Sequence, residues 1–164
     1  MIHKSIELAV KYHQHQRYGN KPYLSHLFNV FVLSSEYTNS ERILSASILH
    51  DILEDTEINP NEIKEIDSQL FDICFLLSKN YNIENYYANI SKNPEASFVK
   101  IADRICNINE SLKYNNKKMI TKYFKEVSDY HRLNNQITSE IYQSEFVPLI
   151  TKMRKNINNS QTAF

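Results

Sequence analysis

Gly19 is the only glycine in the 164-residue chain, and that scarcity excludes more architectures than any other feature of the sequence. Tight β-hairpins and glycine-rich phosphate loops both depend on residues that tolerate positive φ. A chain with one such residue is expected to avoid hairpins, and any phosphate chemistry it performs is not of the P-loop kind. Helix is what remains. Apolar residues recur at helical spacing throughout: Ile6, Ala9 and Val10, then Leu27, Val30 and Phe31, then Leu44, Ile48 and Leu49, then Leu70, Ile73 and Leu77. The expected fold is all-α.

Boundary chemistry divides the pattern into roughly eight to nine helices, at about 2–15, 22–36, 40–53, 60–65, 67–79, 84–92, 95–111, 117–143 and 146–156. Thr38 and Glu41 form a candidate capping box. Asn59-Pro60 and Asn93-Pro94 each read as a cap followed by a first-turn proline. With 41% hydrophobic and 23% charged residues, the chain suits a single domain over 1–156, followed by a frayed polar tail over 157–164. The abundant asparagine and isoleucine have no catalytic reading.

Lys plus Arg and Asp plus Glu each total 19, so no overall field draws in nucleic acid or an acidic membrane. The expected partner is a small molecule, with phosphate recognition left to a local cluster. The apolar runs are too short to span a bilayer and the amino terminus lacks a signal-peptide pattern, so a cytoplasmic location is the default. Cys74 and Cys106 sit among apolar neighbours and read as reduced, buried thiols.

The chemistry concentrates in Ile48 to Thr56, where His50, Asp51, Glu54 and Asp55 interrupt an otherwise apolar helix. Helical geometry places Glu54 and Asp55 one turn beyond His50 and Asp51, on the same side. Clustered carboxylates raise one another's pKa unless a cation balances them, which points to a divalent metal. His50 and Asp51 supply one nitrogen and one oxygen, and further donors must come from elsewhere. Two apolar helices offer them: His26 in Pro22-Tyr23-Leu24-Ser25-His26 and Asp103 in Val99-Lys100-Ile101-Ala102-Asp103-Arg104. Taken alone, His26 reads as a hydrogen-bonded structural histidine, and Asp103 as an acid capped by Arg or Lys, with Arg104 adjacent though not on the same face. Together with His50 and Asp51 they make a mixed nitrogen and oxygen set suited to manganese, iron or another borderline metal, with manganese the first choice.

The runs Arg17 to His26, His50 to Thr56 and Lys100 to Asn107 resemble, in order and spacing, the hydrolase domain of the RelA/SpoT family. The small stand-alone hydrolases, of the metazoan SpoT homologue type, are the most similar, over about residues 5–130. The resemblance implies an HD-domain helical bundle with His26, His50, Asp51 and Asp103 as metal ligands. It implies that Glu54 and Asp55 are catalytic, positioning or activating the attacking water. Arg17 and Lys21 fall where the family approaches the nucleotide, Asn107 matches a substrate-contacting asparagine, and Tyr123 matches an aromatic wall of the pocket. Lys79 corresponds only loosely to a family lysine.

The activity so implied is manganese-dependent removal of the 3′-pyrophosphate of guanosine tetra- or pentaphosphate, an alarmone-degrading reaction on a small nucleotide, with no room for a synthetase domain. There are departures from the family pattern. Leu27 stands where proline is usual, and the segments Asn80 to Asn85 and Lys113 to Lys118 are shorter. They leave two alternatives open: an HD phosphohydrolase acting on another nucleotide, such as NADPH or a nucleoside phosphate, and a catalytically silent binding or antitoxin module. His3, His13, His15 and His131 read as surface or packing residues, the lysines at 113, 117, 118, 122 and 125 as a solvated face, and the tyrosines at 81, 86 and 87 as packing.

Overall fold

A computed structural model describes residues 1–81 and 84–161. Its elements, in chain order, are α1 (Ile2–His13), β1 (Arg17–Tyr18), β2 (Lys21–Pro22), α2 (Leu24–Ser35), α3 (Glu41–Leu49), α4 (Ile52–Asp55), α5 (Pro60–Lys64), α6 (Ser68–Leu77), α7 (Tyr86–Ile90), α8 (Pro94–Lys113), α9 (Lys117–Lys125), α10 (Val127–His131), α11 (Ser139–Ile141), a π-helical turn (Tyr142–Phe146) and α12 (Val147–Gln161). The architecture is an all-α bundle, as the apolar periodicity predicts. No helix among the described residues is long and apolar enough to cross a membrane.

Two helices organise the bundle. All of α3 from Ile43 to Leu49 is buried, because it packs against α1, α2, α6 and α8 at once. A helix apolar on every side belongs at the centre. The second, α8, buries Phe98, Val99, Ile101, Ala102, Ile105 and Ile108, each such large side chain contributing about 1.5–3 kcal/mol. It also buries Lys100, Asp103 and Arg104. Charges in that position need partners, and they mark the functional face.

The hairpin expectation fails at one place, the glycine itself. β1 and β2 pair antiparallel with Tyr18 opposite Lys21, leaving Gly19 and Asn20 as a two-residue connection. Gly19 has φ +61° while Asn20 is not among the positive-φ residues, the pattern of a type II′ turn. Elsewhere asparagine replaces glycine. Asn85 and Asn115 take left-handed backbone at φ 55° and 50°, and Asn59, Asn93 and Asn116 cap α5, α8 and α9. The abundant asparagine therefore has local structural work.

Other boundaries move for identifiable reasons. Ser40, not Thr38, caps α3, its hydroxyl accepting from Ile43 N–H. The helix expected over 40–53 breaks at His50 and Asp51. The single helix expected over 117–143 is three short helices entering a π turn. There, Asn135 Oδ1 accepts from Ile137 and Thr138 N–H, and Thr138 Oγ1 accepts from Asn135 N–H. Such side-chain bonds compete with the helical ladder. The tail expected to fray from 157 continues as α12 through Gln161, while 162–164, like 82 and 83 in the Asn80 to Asn85 segment, lie outside the described residues.

Candidate active site

The break after α3 is where the chemistry sits. In an unbroken helix the carbonyl of Ser47 would accept from Asp51 N–H. Instead His50 Nδ1 takes that carbonyl at 2.8 Å, and Asp51 adopts φ −103°, ψ −1°, in the sparsely populated bridge region frequent at active sites. A carbonyl only accepts, so Nδ1 carries a proton and Nε2 is left to face the interior.

Three stretches converge on that nitrogen. From α2, His26 Nε2 lies 3.3 Å from His50 Nε2. Asp51 Oδ2 is 2.9 Å from His50 Nε2 and 4.0 Å from His26 Nε2. From α8, Asp103 Oδ1 is 3.3 Å from His26 Nε2 and 3.7 Å from His50 Nε2. One donor atom each from His26, His50 and Asp51 falls within 4.8 Å of the others.

Electrostatics tests the fit of a cation. Burial alone would depress the His50 imidazolium, but the carboxylates of Asp51 and then Asp103 outweigh it and raise its pKa to about 9. Asp51 is held below its ordinary value against desolvation, chiefly by His50. Asp103 is likewise lowered against desolvation, first by Lys100. The pocket thus demands positive charge between two imidazoles and two carboxylates, and a divalent metal meets that demand with a donor set of two nitrogens and two oxygens.

This sets a pH dependence. With its folded pKa raised from 6.5 to about 9, His50 stabilises the metal-free fold fully below about pH 6.5 and loses that contribution as pH rises through about 9. A metal held through His50 Nε2 would have to displace the same proton. Manganese affinity, followed by titration calorimetry, is therefore expected to rise by up to about tenfold per pH unit between pH 6.5 and 9; a flat profile would contradict the assignment of His50 as a donor.

Asp55 lies one helical turn beyond Asp51, its N–H donating to the Asp51 carbonyl at 2.9 Å, and the two carboxylates face the same side. Glu54 turns towards the end of α6, its Oε2 accepting from Lys79 N–H at 3.0 Å. Asp55 stays exposed on the α2 side, where Tyr23 Oη lies 2.9 Å from Asp55 Oδ2 and 2.6 Å from Asp51 Oδ2. One hydroxyl hydrogen cannot serve both, and the shorter contact belongs to Asp51. Desolvation, followed by the Asp51 charge, raises the Asp55 carboxyl above its ordinary value, which suits a group that takes a proton from water.

Beside the donor cluster lies a cavity of about 450 Å³ lined by Tyr18, Asn107, Glu110, Tyr114 and Tyr123, among others. Asn107 and Tyr123, expected at the substrate, both line it. Lys21 reaches the rim, its Nζ 2.9 Å from Glu110 Oε1 and 5.6 Å from the Tyr114 ring centre. Arg17 does not come in this close. Its guanidinium donates to the Asn20 carbonyl of its own hairpin.

Sequence reasoning passed over Lys100, which is buried and donates to Asp103 Oδ2 at 3.1 Å. The i, i+3 spacing from Lys100 to Asp103 was the available signal, since it stacks the two on one helix face. Arg104, adjacent in sequence but expected off the Asp103 face, stands farther off at 4.0 Å and lies over the Tyr123 and Tyr130 rings at 4.9 and 5.4 Å. Of the other histidines, His13 is buried and stacked on Tyr23, while His3 pairs with Glu7 at the surface. Both cysteines are free; Cys74 is buried, but Cys106 is only partly so.

No family model matches the chain. It is 29% identical over 93 residues, 56% of its length, to a guanosine-3′,5′-bis(diphosphate) 3′-pyrophosphohydrolase of Borreliella burgdorferi, covering 14% of that protein. To the Aquifex aeolicus protein of the same name it is 29% identical over 119 residues, 65% of this chain and 17% of the other. A GTP pyrophosphokinase of Streptomyces coelicolor is 25% identical over 175 residues, 95% of this chain and 20% of the other. The chain thus spans a small part of each curated relative. A solved structure of a metazoan ortholog of SpoT that hydrolyses ppGpp shares the fold, with TM-score 0.68 at 19% identity, covering 93% of this chain and 94% of that one. These likenesses agree with the resemblance carried by the His50-Asp51, Glu54-Asp55 and Asp103 motifs.

Proposed function

We propose that the chain is a manganese-dependent phosphohydrolase that removes the 3′-pyrophosphate of guanosine tetra- and pentaphosphate. The reading rests on one observation above all: His26, His50, Asp51 and Asp103, drawn from three separate stretches, meet beside a cavity of about 450 Å³. Its support comes also from the similarity to proteins named for that activity.

A divalent metal held by these four residues would supply water activation and polarisation of a phosphoryl oxygen. The remaining steps fall to the chain. Glu54 takes the proton as the water oxygen bonds to phosphorus, the bond from phosphorus to the 3′ oxygen breaks, that oxygen takes up a proton to become the 3′ hydroxyl, and pyrophosphate leaves. Tyr18, Tyr114 and Tyr123 give the cavity the aromatic walls that a nucleobase requires.

The test is turnover on a panel of guanosine tetraphosphate, NADPH and nucleoside monophosphates, run after chelation and again with added manganese. The expected result is pyrophosphate release from the tetraphosphate, absent after chelation and restored by the metal. Preference for another member of the panel would keep the phosphohydrolase and change its substrate. No turnover of any member with manganese present would defeat the proposal.

A further inference from the structure

On α8, Asp103, Asn107 and Glu110 follow one another at helical spacing, forming a polar stripe that runs from the donor cluster into the cavity. The side chain that spans the gap between cluster and cavity comes from elsewhere. Tyr18, on the hairpin strand β1, lines the cavity. Its ring stacks on the His26 imidazole with centres 4.8 Å apart and planes at 14°, and its hydroxyl donates to Asn107 Oδ1 at 2.6 Å. At its other end, the Asn107 amide donates through Nδ2 to Asp103 Oδ1, the same oxygen that faces both imidazoles.

An amide has two unlike ends, and only one orientation satisfies both neighbours. The Tyr18 hydroxyl needs an acceptor, and Asp103 needs a donor. By taking Oδ1, the phenol selects the rotamer in which NH₂ points at Asp103 Oδ1. Rotated by half a turn, Asn107 would set its oxygen against that carboxylate. Tyr18 therefore bears on two donor side chains at once, His26 through ring contact and Asp103 through the asparagine.

We propose that Tyr18 is a positioning residue for the metal centre, holding His26 and Asp103 in register and linking them to whatever occupies the cavity. This rests on the metal-centre reading given above. Partners of metal-binding side chains typically govern affinity by about 10–100-fold. Two such contacts made by one side chain give a graded expectation. Tyr18→Phe keeps the stack and loses the hydroxyl, while Tyr18→Leu loses both.

The measurement is manganese binding to the purified metal-free protein by titration calorimetry, with melting of the same samples as a control for folding. Tyr18→Phe is expected to weaken manganese binding about tenfold, and Tyr18→Leu towards 100-fold, while Tyr18→Phe melts within a few degrees of the wild type. A purely structural role would move the melting point and leave affinity in the folded variant intact. If the wild type binds manganese and both variants match it, the inference falls and the metal centre stands. If the wild type itself binds none, the metal-centre reading falls and takes this inference with it.

Discussion

His50→Ala is expected to abolish manganese binding and turnover together, whereas Glu54→Gln is expected to cut turnover sharply and leave manganese binding in place. The contrast follows from where the two side chains stand. His50 Nε2 lies within 4.0 Å of donor atoms from His26, Asp51 and Asp103, so its removal takes a nitrogen from the centre of the set. It also removes the bond from His50 Nδ1 to the Ser47 carbonyl. Changes to groups that merely contact metal ligands typically cost about 10–100-fold in affinity or activity, so loss of a ligand is expected to exceed about 100-fold in both. Glu54 sits apart, bonded to the backbone of Lys79. Replacing its carboxylate removes a proton acceptor, an effect of about 10²–10⁴-fold on turnover, and leaves the four donors untouched. Calorimetry with manganese and a pyrophosphate-release assay on both variants separate the roles. A His50→Ala protein that still bound manganese with wild-type affinity would remove the centre from the proposal.

That contrast also shows what the sequence could carry. Motif order brought His26, His50, Asp51 and Asp103 to one point because His26 and Asp103 lie on, and His50 and Asp51 directly follow, helices whose buried faces are fixed by periodicity. The 3.6-residue repeat does set Asp55 beside Asp51, while Glu54 is drawn aside by a bond to the backbone of Lys79. No pattern of hydrophobicity reports such a bond. The single glycine pointed away from hairpins as a statistical matter, yet one hairpin needs only one glycine, and Tyr18 reaches the site from that hairpin. For Asp103 the sequence calls for an Arg or Lys partner and sets Arg104 off its face, but the lysine one turn back, which a helix places closer, goes unnamed. Local side-chain bonding among Asn134, Asn135 and Thr138, which accompanies the division of the carboxyl-terminal helices, involves residues that are equally at home on a helix surface, so the sequence offers no break signal there beyond their weak helix propensity.

Lys100→Met is expected to lower the melting temperature of the metal-free protein by on the order of 10 °C. Asp103 is 3% exposed and Lys100 6%, so neither charge has water to fall back on. Lys100 Nζ is the closest cation to Asp103 Oδ2, at 3.1 Å against 4.0 Å for Arg104 Nη2. Removing one partner of a buried pair strands the other, at about 3–5 kcal/mol, and a chain of this size loses roughly 2–4 °C per kcal/mol. His26, His50 and Arg104 remain near the stranded carboxylate and hold the loss to the lower end of that range. Two further measurements show that charge, rather than packing, is responsible. Pairing Lys100→Met with Asp103→Leu is expected to recover most of the lost stability, because a buried ion pair exchanged as a unit for apolar groups is frequently neutral. Excess manganese is expected to narrow the gap between Lys100→Met and wild type, since the metal brings to Asp103 Oδ1 the positive charge that the lysine supplied at Oδ2. If Lys100→Met melted within 2 °C of the wild type without metal, the lysine would not be what holds Asp103 ionised before the metal arrives.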